Sequence, residues 1–285
     1  MVARQEKLLE KLNLDGLVHW SPGNAAMVRE LILAYHDVFA LESNELGCTS
    51  AIKHEIRIKN SEPFKEWFWC IPPPLLEEVC ASLRDMLQVR VICLSQSPWC
   101  NAMVLVRKKD GTLHFCVDFK CLNAWMKKDS YPLPHIQEAL ESMAGSAHFS
   151  SMDFKSSFWQ IKMALESQQY TAFTVGNLGF YEFTHMLFGL CNVLVTFQYL
   201  MQNTLGELNL TYYVIYLDDI IIFGRMEEEH LEHLRVMFKR FQELNLKLKP
   251  SKCLFFQSEI MYLACLLYTS PSTRDATLSR MPSSA

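Results

Sequence analysis

The stretch Tyr212–Gly224 reads YYVIYLDDIIIFG, in which two adjacent acids, Asp218 and Asp219, interrupt an otherwise apolar run. The aromatic and β-branched residues on either side favour two strands, and the acids between them predict a two-residue turn. Aspartate is common in turns, so an Asp-Asp tip facing water would need no function. Two like charges in a partly buried hairpin nevertheless repel each other, and a bound cation is the natural way to keep both ionised.

A third acid stands in a comparable setting earlier in the chain. Asp153 closes the β-type run His148–Phe154. Three carboxylates at strand ends could hold two magnesium ions about 4 Å apart, one activating an attacking oxygen and one stabilising the leaving oxygen. The pattern therefore predicts phosphoryl or nucleotidyl transfer, with Asp153, Asp218 and Asp219 as metal ligands and catalytic residues.

Composition limits the class of protein. The chain has 285 residues, half of them apolar, and this is enough to bury one sizeable core or two small ones. Its net charge is −4. The negative charge argues against a general nucleic-acid coat, so any contact with nucleic acid must be locally concentrated. No run approaches the roughly 18 apolar residues of a membrane span, so we expect an intracellular protein without a membrane partner.

The cysteines and histidines do not form a metal motif. None of the ten cysteines is in a C-x-x-C spacing, and His230 with His233 has no companion pair that would complete a zinc site. We expect free thiols in a reducing compartment.

Helical and β-type patterns alternate irregularly, which predicts an α+β fold. Predicted helices are Met27–Phe39, Leu75–Gln88, Pro134–Met143, Val193–Leu208 and Glu227–Asn245. Predicted strands are Met103–Val106, Leu113–Phe119, His148–Phe154, Tyr170–Val175, Tyr181–Thr184 and Tyr212–Leu217. Glu42–Lys59 is polar with few apolar anchors, and we read it as part of a lead-in.

A tight hairpin is expected where Asp110-Gly111 joins the first two predicted strands. Its tip carries Arg107, Lys108 and Lys109, which could reach the phosphates of an incoming nucleotide. Lysines at a hairpin tip can also be ordinary solvated residues, and the pattern alone favours that reading.

A set of motifs resembles a known family. They are Val104–Gly111, Cys116–Phe119, Leu122-Asn123, Lys128–Pro134, Phe158–Ile161, Thr171–Thr174, Phe188–Asn192, Tyr216–Asp219 and Leu246–Cys253. In content and order they resemble the fingers and palm of reverse transcriptases from gypsy-type LTR retrotransposons. The resemblance runs from about Tyr35 to Ala264. The Tyr-x-Asp-Asp box is highly specific when it occurs together with the other motifs.

The resemblance implies a right-handed polymerase palm, an antiparallel sheet with packed helices, plus fingers and a truncated thumb. The implied activity is RNA-directed DNA polymerisation with two Mg²⁺ ions, or Mn²⁺ in their place, held by the three aspartates. The implied nucleotide-binding residues are Lys108, Lys109, His114, Phe158 and Phe188. Phe158 matches the steric gate that rejects a ribose 2′-hydroxyl, although ordinary aromatic packing would also explain it.

The same resemblance implies the partners and the organisation of the chain. The partners would be deoxynucleotides and an RNA or DNA template with its primer, in a cytoplasmic particle or the nucleus. The parent polyprotein would also carry protease, RNase H and integrase domains. Residues 1–62 are read as a lead-in and 63–264 as fingers and palm. Residues 265–285 have no counterpart in the family, and we predict that they derive from a sequencing adapter.

Several positions depart from the family pattern. His114 replaces an arginine that grips phosphates, and Ser157 replaces a glycine before the gate. Other departures are Trp67, Trp69, Cys70, Cys93, Leu94, Leu187, Val193, Leu194 and Val195. Each is reachable by one C-to-T or G-to-A transition, which is typical of an element decaying by deamination. The alternative function is therefore an inactive remnant with at most weak nucleic-acid binding; a different two-metal phosphotransferase, such as a nuclease, is a second alternative.

Overall fold

The computed structural model describes residues 2–12, 14, 20–42, 44–59, 62–66, 71–107, 113–131, 136–216, 219–262 and 265–268. Within them the helices are α1 (Val2–Lys11), α2 (Pro22–Ala34), α3 (Leu76–Gln88), α4 (Lys120–Trp125), α5 (Ile136–Ser142), α6 (Leu165–Gln168), α7 (Val193–Leu205) and α8 (Glu227–Glu243). The strands are β1 (Thr49–His54), β2 (Ile92–Leu94), β3 (Ala102–Arg107), β4 (Leu113–Asp118), β5 (His148–Asp153), β6 (Ile161–Met163), β7 (Phe173–Thr174), β8 (Phe180–Phe183), β9 (Tyr213–Tyr216), β10 (Asp219–Gly224), β11 (Leu254–Gln257), β12 (Glu259–Tyr262) and β13 (Cys265–Tyr268).

The central sheet has the strand order β11-β5-β10-β9, and all its neighbouring strands are antiparallel. Strands β9 and β10 are the two arms of the predicted hairpin, but Asp219 is the first residue of β10, paired with Tyr216, and does not lie in the turn as expected. Mixed helices and antiparallel sheets confirm the predicted α+β class.

Apolar side chains cover both faces of this sheet. Because successive side chains of a strand point to opposite faces, Met152, Ile220 and Ile222 enter the large core together with the apolar residues of α7 and α8. The other face packs into a smaller cluster, formed by Ala139, Met143, Phe149, Val214, Ile221, Phe223 and Ile260. Burial of both faces fixes the register, since a one-residue slip would exchange the two sets.

Helices α3 and α8 form where the periodicity predicts them. Pro73 and Pro74 lie in a 3-10 turn that leads into α3, and the acids of its first turn suit the positive end of the helix dipole. Helix α8 begins with three glutamates and buries one apolar stripe, Leu231, Leu234, Phe238 and Phe241, among other residues. Both helices therefore cover the core with one face.

Strands β3 and β4 pair as the predicted hairpin, with Ala102 opposite Asp118 and Arg107 opposite Leu113. The Asp110-Gly111 turn lies outside the described residues. A separate three-stranded sheet has the order β2-β8-β7. The hairpin lies in the part of the chain that the resemblance implies as fingers.

Two segments differ from the sequence-based expectation. The predicted strand Tyr170–Val175 is mostly a 3-10 turn, Gln169–Thr171, followed by the two-residue β7. The polar segment Glu42–Lys59 contains β1, which pairs in parallel with β6 and buries Thr49 and His54. In both cases tertiary contacts override the local pattern.

The N-terminal residues contribute to the main core. Leu8, Trp20, Ile32 and Phe39 lie in the same apolar cluster as the residues of α7 and α8. The division of the chain at residue 62 stays a prediction, and the packing joins both sides of it. No helix among the described residues is long and apolar enough to span a membrane.

Candidate active site

Two of the three predicted metal ligands face each other in the central sheet. Strand β5 ends at Asp153 and β10 begins at Asp219, and the register places these residues directly opposite each other. Side chains opposite each other on antiparallel strands project from the same face, with Cβ atoms roughly 4.5–5.5 Å apart. Asp219 is exposed and Asp153 is half-buried. Asp218 lies outside the described residues.

Burial along the strands explains why acids are tolerated at this end. Asp153 and Asp219 share their face with Phe149, Ile221 and Phe223, which belong to the smaller core. That core covers the far end of the strands, whereas the acid-bearing end reaches solvent. The face is thus apolar for most of its length and anionic at its edge.

A lysine from another part of the chain meets Asp153. After α8 the chain returns through a 3-10 turn, Pro250–Lys252, and the Lys252 Nζ atom lies 2.7 Å from Asp153 Oδ2. The amide of Lys249 donates to the Asp153 carbonyl at 2.8 Å. The end of β5 is therefore held by both backbone and side chain, and its carboxylate already has a cationic partner.

Gln160 connects the segments on either side of this contact. It is fully buried, and its Nε2 donates to the carbonyl oxygens of Lys155 and Lys247 at 2.7 and 2.8 Å. Its Oε1 accepts from the amide of Lys247 at 2.7 Å. The sequence does not reveal this role of Gln160, because nothing local marks a glutamine as a bridge to Lys247, 87 positions away.

The two predicted nucleotide-pocket aromatics lie together. The ring centroids of Phe158 and Phe188 are 6.0 Å apart, and Phe158 also packs edge-on against the buried Phe197. They line a pocket of about 290 Å³, whose walls come from α3, β4, the residues that follow β5, and the end of β8 with the residues after it. Its other lining residues are Met86, Phe115, Cys116, Val117, Ser156, Ser157, Trp159, Phe183, Leu187 and Gly189.

The predicted phosphate contacts are less well defined. Lys108 and Lys109 lie outside the described residues, and of His114 the structure describes only the backbone, which pairs with Val106. Arg107 ends β3 and lies 3.9 Å from Glu78 of α3 in an exposed ion pair. Ser157, one of the departures from the family pattern, lies in the wall of the pocket.

The donor set fits a hard divalent cation. Carboxylate oxygens are the ligands that Mg²⁺ and Mn²⁺ prefer, and Asp153 and Asp219 present two such groups on one face. The ion pair with Lys252 shows that positive charge is accommodated beside Asp153. Within the described residues no group of three or more His, Cys, Asp or Glu side chains is close enough to bind one ion, so the third ligand remains the predicted Asp218.

The two histidines of α8 have structural partners. His230 is fully buried with its Nε2 2.8 Å from Ser150 Oγ, and His233 Nδ1 lies 2.7 Å from the Phe223 carbonyl while its ring stacks on Tyr212. Burial lowers the pKa of His230 to about 3, so it stays neutral. Both rings brace α8 against the central sheet.

The antiparallel sheet, its packed helices and the facing acids define an α+β palm of the polymerase type, with a β-hairpin as fingers. A sequence model described as "Reverse transcriptase (RNA-dependent DNA polymerase)" matches residues 106–267. The match covers more than half of the chain. The chain belongs to the reverse transcriptase family.

Curated relatives agree with this assignment. The chain is 31% identical over 235 residues to a retrovirus-related Pol polyprotein from transposon 412 of Drosophila melanogaster, covering 80% of this chain and 19% of the relative. It is 31% identical over 270 residues to the Pol polyprotein from transposon 297 of the same species, covering 92% and 25%. The Tf2-3 polyprotein of Schizosaccharomyces pombe is 31% identical over 193 residues, covering 68% and 14%. The chain thus spans a quarter or less of the length of these polyproteins.

Solved structures confirm the fold. The foamy viral protease-reverse transcriptase in complex with an RNA/DNA hybrid superposes with a TM-score of 0.81 at 19% identity, covering 94% of this chain and 35% of that chain. The same protein in a form bound to double-stranded DNA gives a TM-score of 0.80 at 20% identity, covering 94% and 46%. The palm-and-fingers architecture predicted from the sequence is therefore confirmed.

Proposed function

We propose that this chain is the polymerase part of a gypsy-type retrotransposon Pol polyprotein and carries out RNA-directed DNA synthesis. The observation that carries the proposal is the register of β5 and β10, which sets Asp153 opposite Asp219 at the open edge of the sheet. The relatives named above are Pol polyproteins of transposons, and the foamy viral neighbours were solved with an RNA/DNA hybrid and with double-stranded DNA. Template with primer and deoxynucleotides are the partners we propose.

In the proposed reaction the primer 3′-hydroxyl loses its proton to water and its oxygen forms a bond to the α-phosphorus of a deoxynucleotide, while the bond from that phosphorus to the oxygen bridging to the β-phosphorus breaks and releases pyrophosphate. Asp153, Asp218 and Asp219 would hold two Mg²⁺ ions. These ions, when bound, lower the pKa of the attacking hydroxyl and neutralise charge on the leaving group. Lys252 would orient the carboxylate of Asp153 from the side, through the contact it already makes.

The pocket lined by Phe158 and Phe188 would receive the nucleotide. The Phe158 ring would exclude a ribose 2′-hydroxyl from the pocket by steric clash, since it is held between Phe188 and the buried Phe197. Lys108, Lys109 and His114 would face the phosphates from the fingers. His114 is a weaker partner than an arginine because a neutral imidazole offers no guanidinium fork.

The test is primer extension on an RNA template by the full chain with Mg²⁺. We expect extension, and Asp219→Asn should reduce it by about a thousandfold, because it removes one of the carboxylates that would hold the two Mg²⁺ ions. Asp85→Asn, on the exposed side of α3, serves as the matched control and should extend like the wild type. Extension that persists unchanged in Asp219→Asn would refute the proposed site.

The alternative, an inactive remnant, makes the opposite prediction. His114 and Ser157 stand where the resemblance implies arginine and glycine, and Ser157 lines the nucleotide pocket. A chain that unfolds cooperatively in urea but extends no primer would support the remnant and leave the family assignment unchanged.

The origin of residues 265–285 is a separate proposal. We infer that these residues come from a sequencing adapter, although β13, Cys265–Tyr268, pairs with β12 and the family match reaches residue 267. Long-read sequencing across the junction at Ala264 tests this: codons for the tail in genomic DNA would overturn it.

A further inference from the structure

The exposed wall of the nucleotide pocket is a loop, Leu187–Asn192, which joins β8 to α7 and which we call the pocket loop. It carries Phe188, whose side chain is 80% exposed. A ring so little buried takes its position from the backbone beneath it. That backbone turns at Gly189, where φ is +102°. Because glycine has no side chain to restrict its backbone, the residue itself does not hold the loop rigid.

One side chain outside the pocket loop binds that backbone at two points. Asn123 Nδ2 donates to the Gly189 carbonyl at 2.7 Å, and Asn123 Oδ1 accepts from the Cys191 amide at 2.9 Å. Both the amide nitrogen and the amide oxygen of Asn123 thus bind backbone groups of residues that follow Phe188. Asn192 adds a second tie, because its Nδ2 donates to the Lys127 carbonyl at 2.8 Å.

Asn123 lies in the segment that continues from the opposite wall of the pocket. It lies in α4, which follows β4 after a single residue, Phe119. Strand β4 supplies Phe115, Cys116 and Val117 to the pocket lining. A Cβ atom at Gly189 would lie 3.5 Å from Phe119 Cδ2, so the pocket loop passes close to the residue that precedes α4. Asn123 therefore links the segment that follows β4 to the loop wall.

We propose that Asn123 is a positioning residue for deoxynucleotide binding, which holds the pocket loop and its Phe188 at a fixed distance from β4. This inference rests on the proposed function, and it names a residue that acts through the loop and does not touch the nucleotide. Loss of its two hydrogen bonds loosens the pocket and leaves the aspartates at the sheet edge untouched.

Steady-state primer extension separates these effects. Asn123→Ala removes both hydrogen bonds, and we expect the KM for deoxynucleotides to rise about tenfold while kcat stays within about threefold. Asn123→Asp keeps the acceptor for Cys191 and loses the donor to Gly189, so it should raise KM as well. Asn24→Ala is the matched control, since Asn24 also makes two side-chain hydrogen bonds, to Glu227 and Glu228, far from the pocket.

Hydrogen–deuterium exchange tests the positioning without relying on activity. The Cys191 amide should exchange faster in Asn123→Ala than in the wild type or in Asn24→Ala. Equal exchange in all three chains would overturn the proposal, and so would faster exchange in an active enzyme whose KM does not change. A wild-type chain that extends no primer would count against the proposed function alone, because exchange still decides whether Asn123 holds the loop.

Discussion

Gly47 lies against Gln160, in a space that has no room for a side chain. A Cβ atom at residue 47 would come within 2.2 Å of Gln160 Oε1 and 2.6 Å of the Asn245 carbonyl. Gln160 in turn holds Lys155 and Lys247 beside the end of β5. Gly47→Ala should therefore lower the free energy of unfolding by about 1–3 kcal/mol, as overpacked substitutions do. Urea unfolding measures this.

Gly23 provides the control for the same chemical change. It lies in α2, and a Cβ there would meet nothing within 4 Å. Gly23→Ala should raise the stability by up to about 1 kcal/mol, since alanine is favoured over glycine in a helix. If both substitutions had the same effect, the close contact around Gly47 would not determine the outcome.

Single residues of the site differ in how far the sequence reveals them. Asp153 and Asp219 are predictable because an acid that interrupts or ends an apolar run stands out locally. Gln160 and Lys252 are not, because each acts through a contact between segments that meet only in the fold. The local sequence pattern thus identifies the charged residues of the site, and the tertiary packing determines which other side chains hold them in place.

At the scale of elements, the same distinction separates α8 from β1. The stripe of α8 repeats with helical spacing over several turns, so its existence follows from the sequence. Strand β1 has a mostly polar composition and is held by its pairing with β6 and by α7, where His54 Nδ1 lies 2.7 Å from Thr196 Oγ1. A strand that is stabilised by its neighbours need not show a hydrophobic period in its own sequence.

His54 makes the stability contributed by β1 depend on pH. Burial lowers its pKa to about 4, against a weaker opposing effect of Glu55. The unfolded chain binds a proton at this residue below about pH 6.5, whereas the folded chain stays neutral until about pH 4. The contribution of His54 is therefore complete above pH 6.5 and is lost as the pH falls towards 4.

We expect this residue alone to lower the stability by about 1 kcal/mol between pH 7 and pH 5.5. His54→Gln keeps a group that can bond Thr196 but does not titrate, so its stability should fall less over the same interval. Urea unfolding of both chains at the two pH values makes the comparison. Parallel losses in the two chains would show that His54 does not carry this dependence.

At the scale of the whole molecule, the N-terminal residues pack into the same core as the palm. The Trp20 ring packs edge-on against Phe256 with centroids 4.8 Å apart, and Phe39 packs in the same way against Phe238 at 5.5 Å. A polar contact crosses the same interface, because Lys247 Nζ donates to the Asp37 carbonyl. The sequence-based reading of residues 1–62 as a lead-in rests on their weak local pattern, which says nothing of these contacts.

Removing residues 1–62 should abolish cooperative folding of the remainder. Losing a single buried aromatic costs about 3–5 kcal/mol, and a domain of this kind has a free energy of unfolding of only about 5–15 kcal/mol. The loss of Trp20 and Phe39 together with α1, α2 and β1 therefore exceeds the free energy of unfolding. The measurement is urea unfolding followed by circular dichroism for residues 63–285 and for the full chain. A chain that ends at Tyr268 is the control for shortening as such, because it retains every described element, and it should unfold at the same urea concentration as the full chain. A sigmoidal transition in residues 63–285 with the full-chain midpoint would instead establish residues 63–264 as an independent folding unit, with the N-terminal segment bound to its surface.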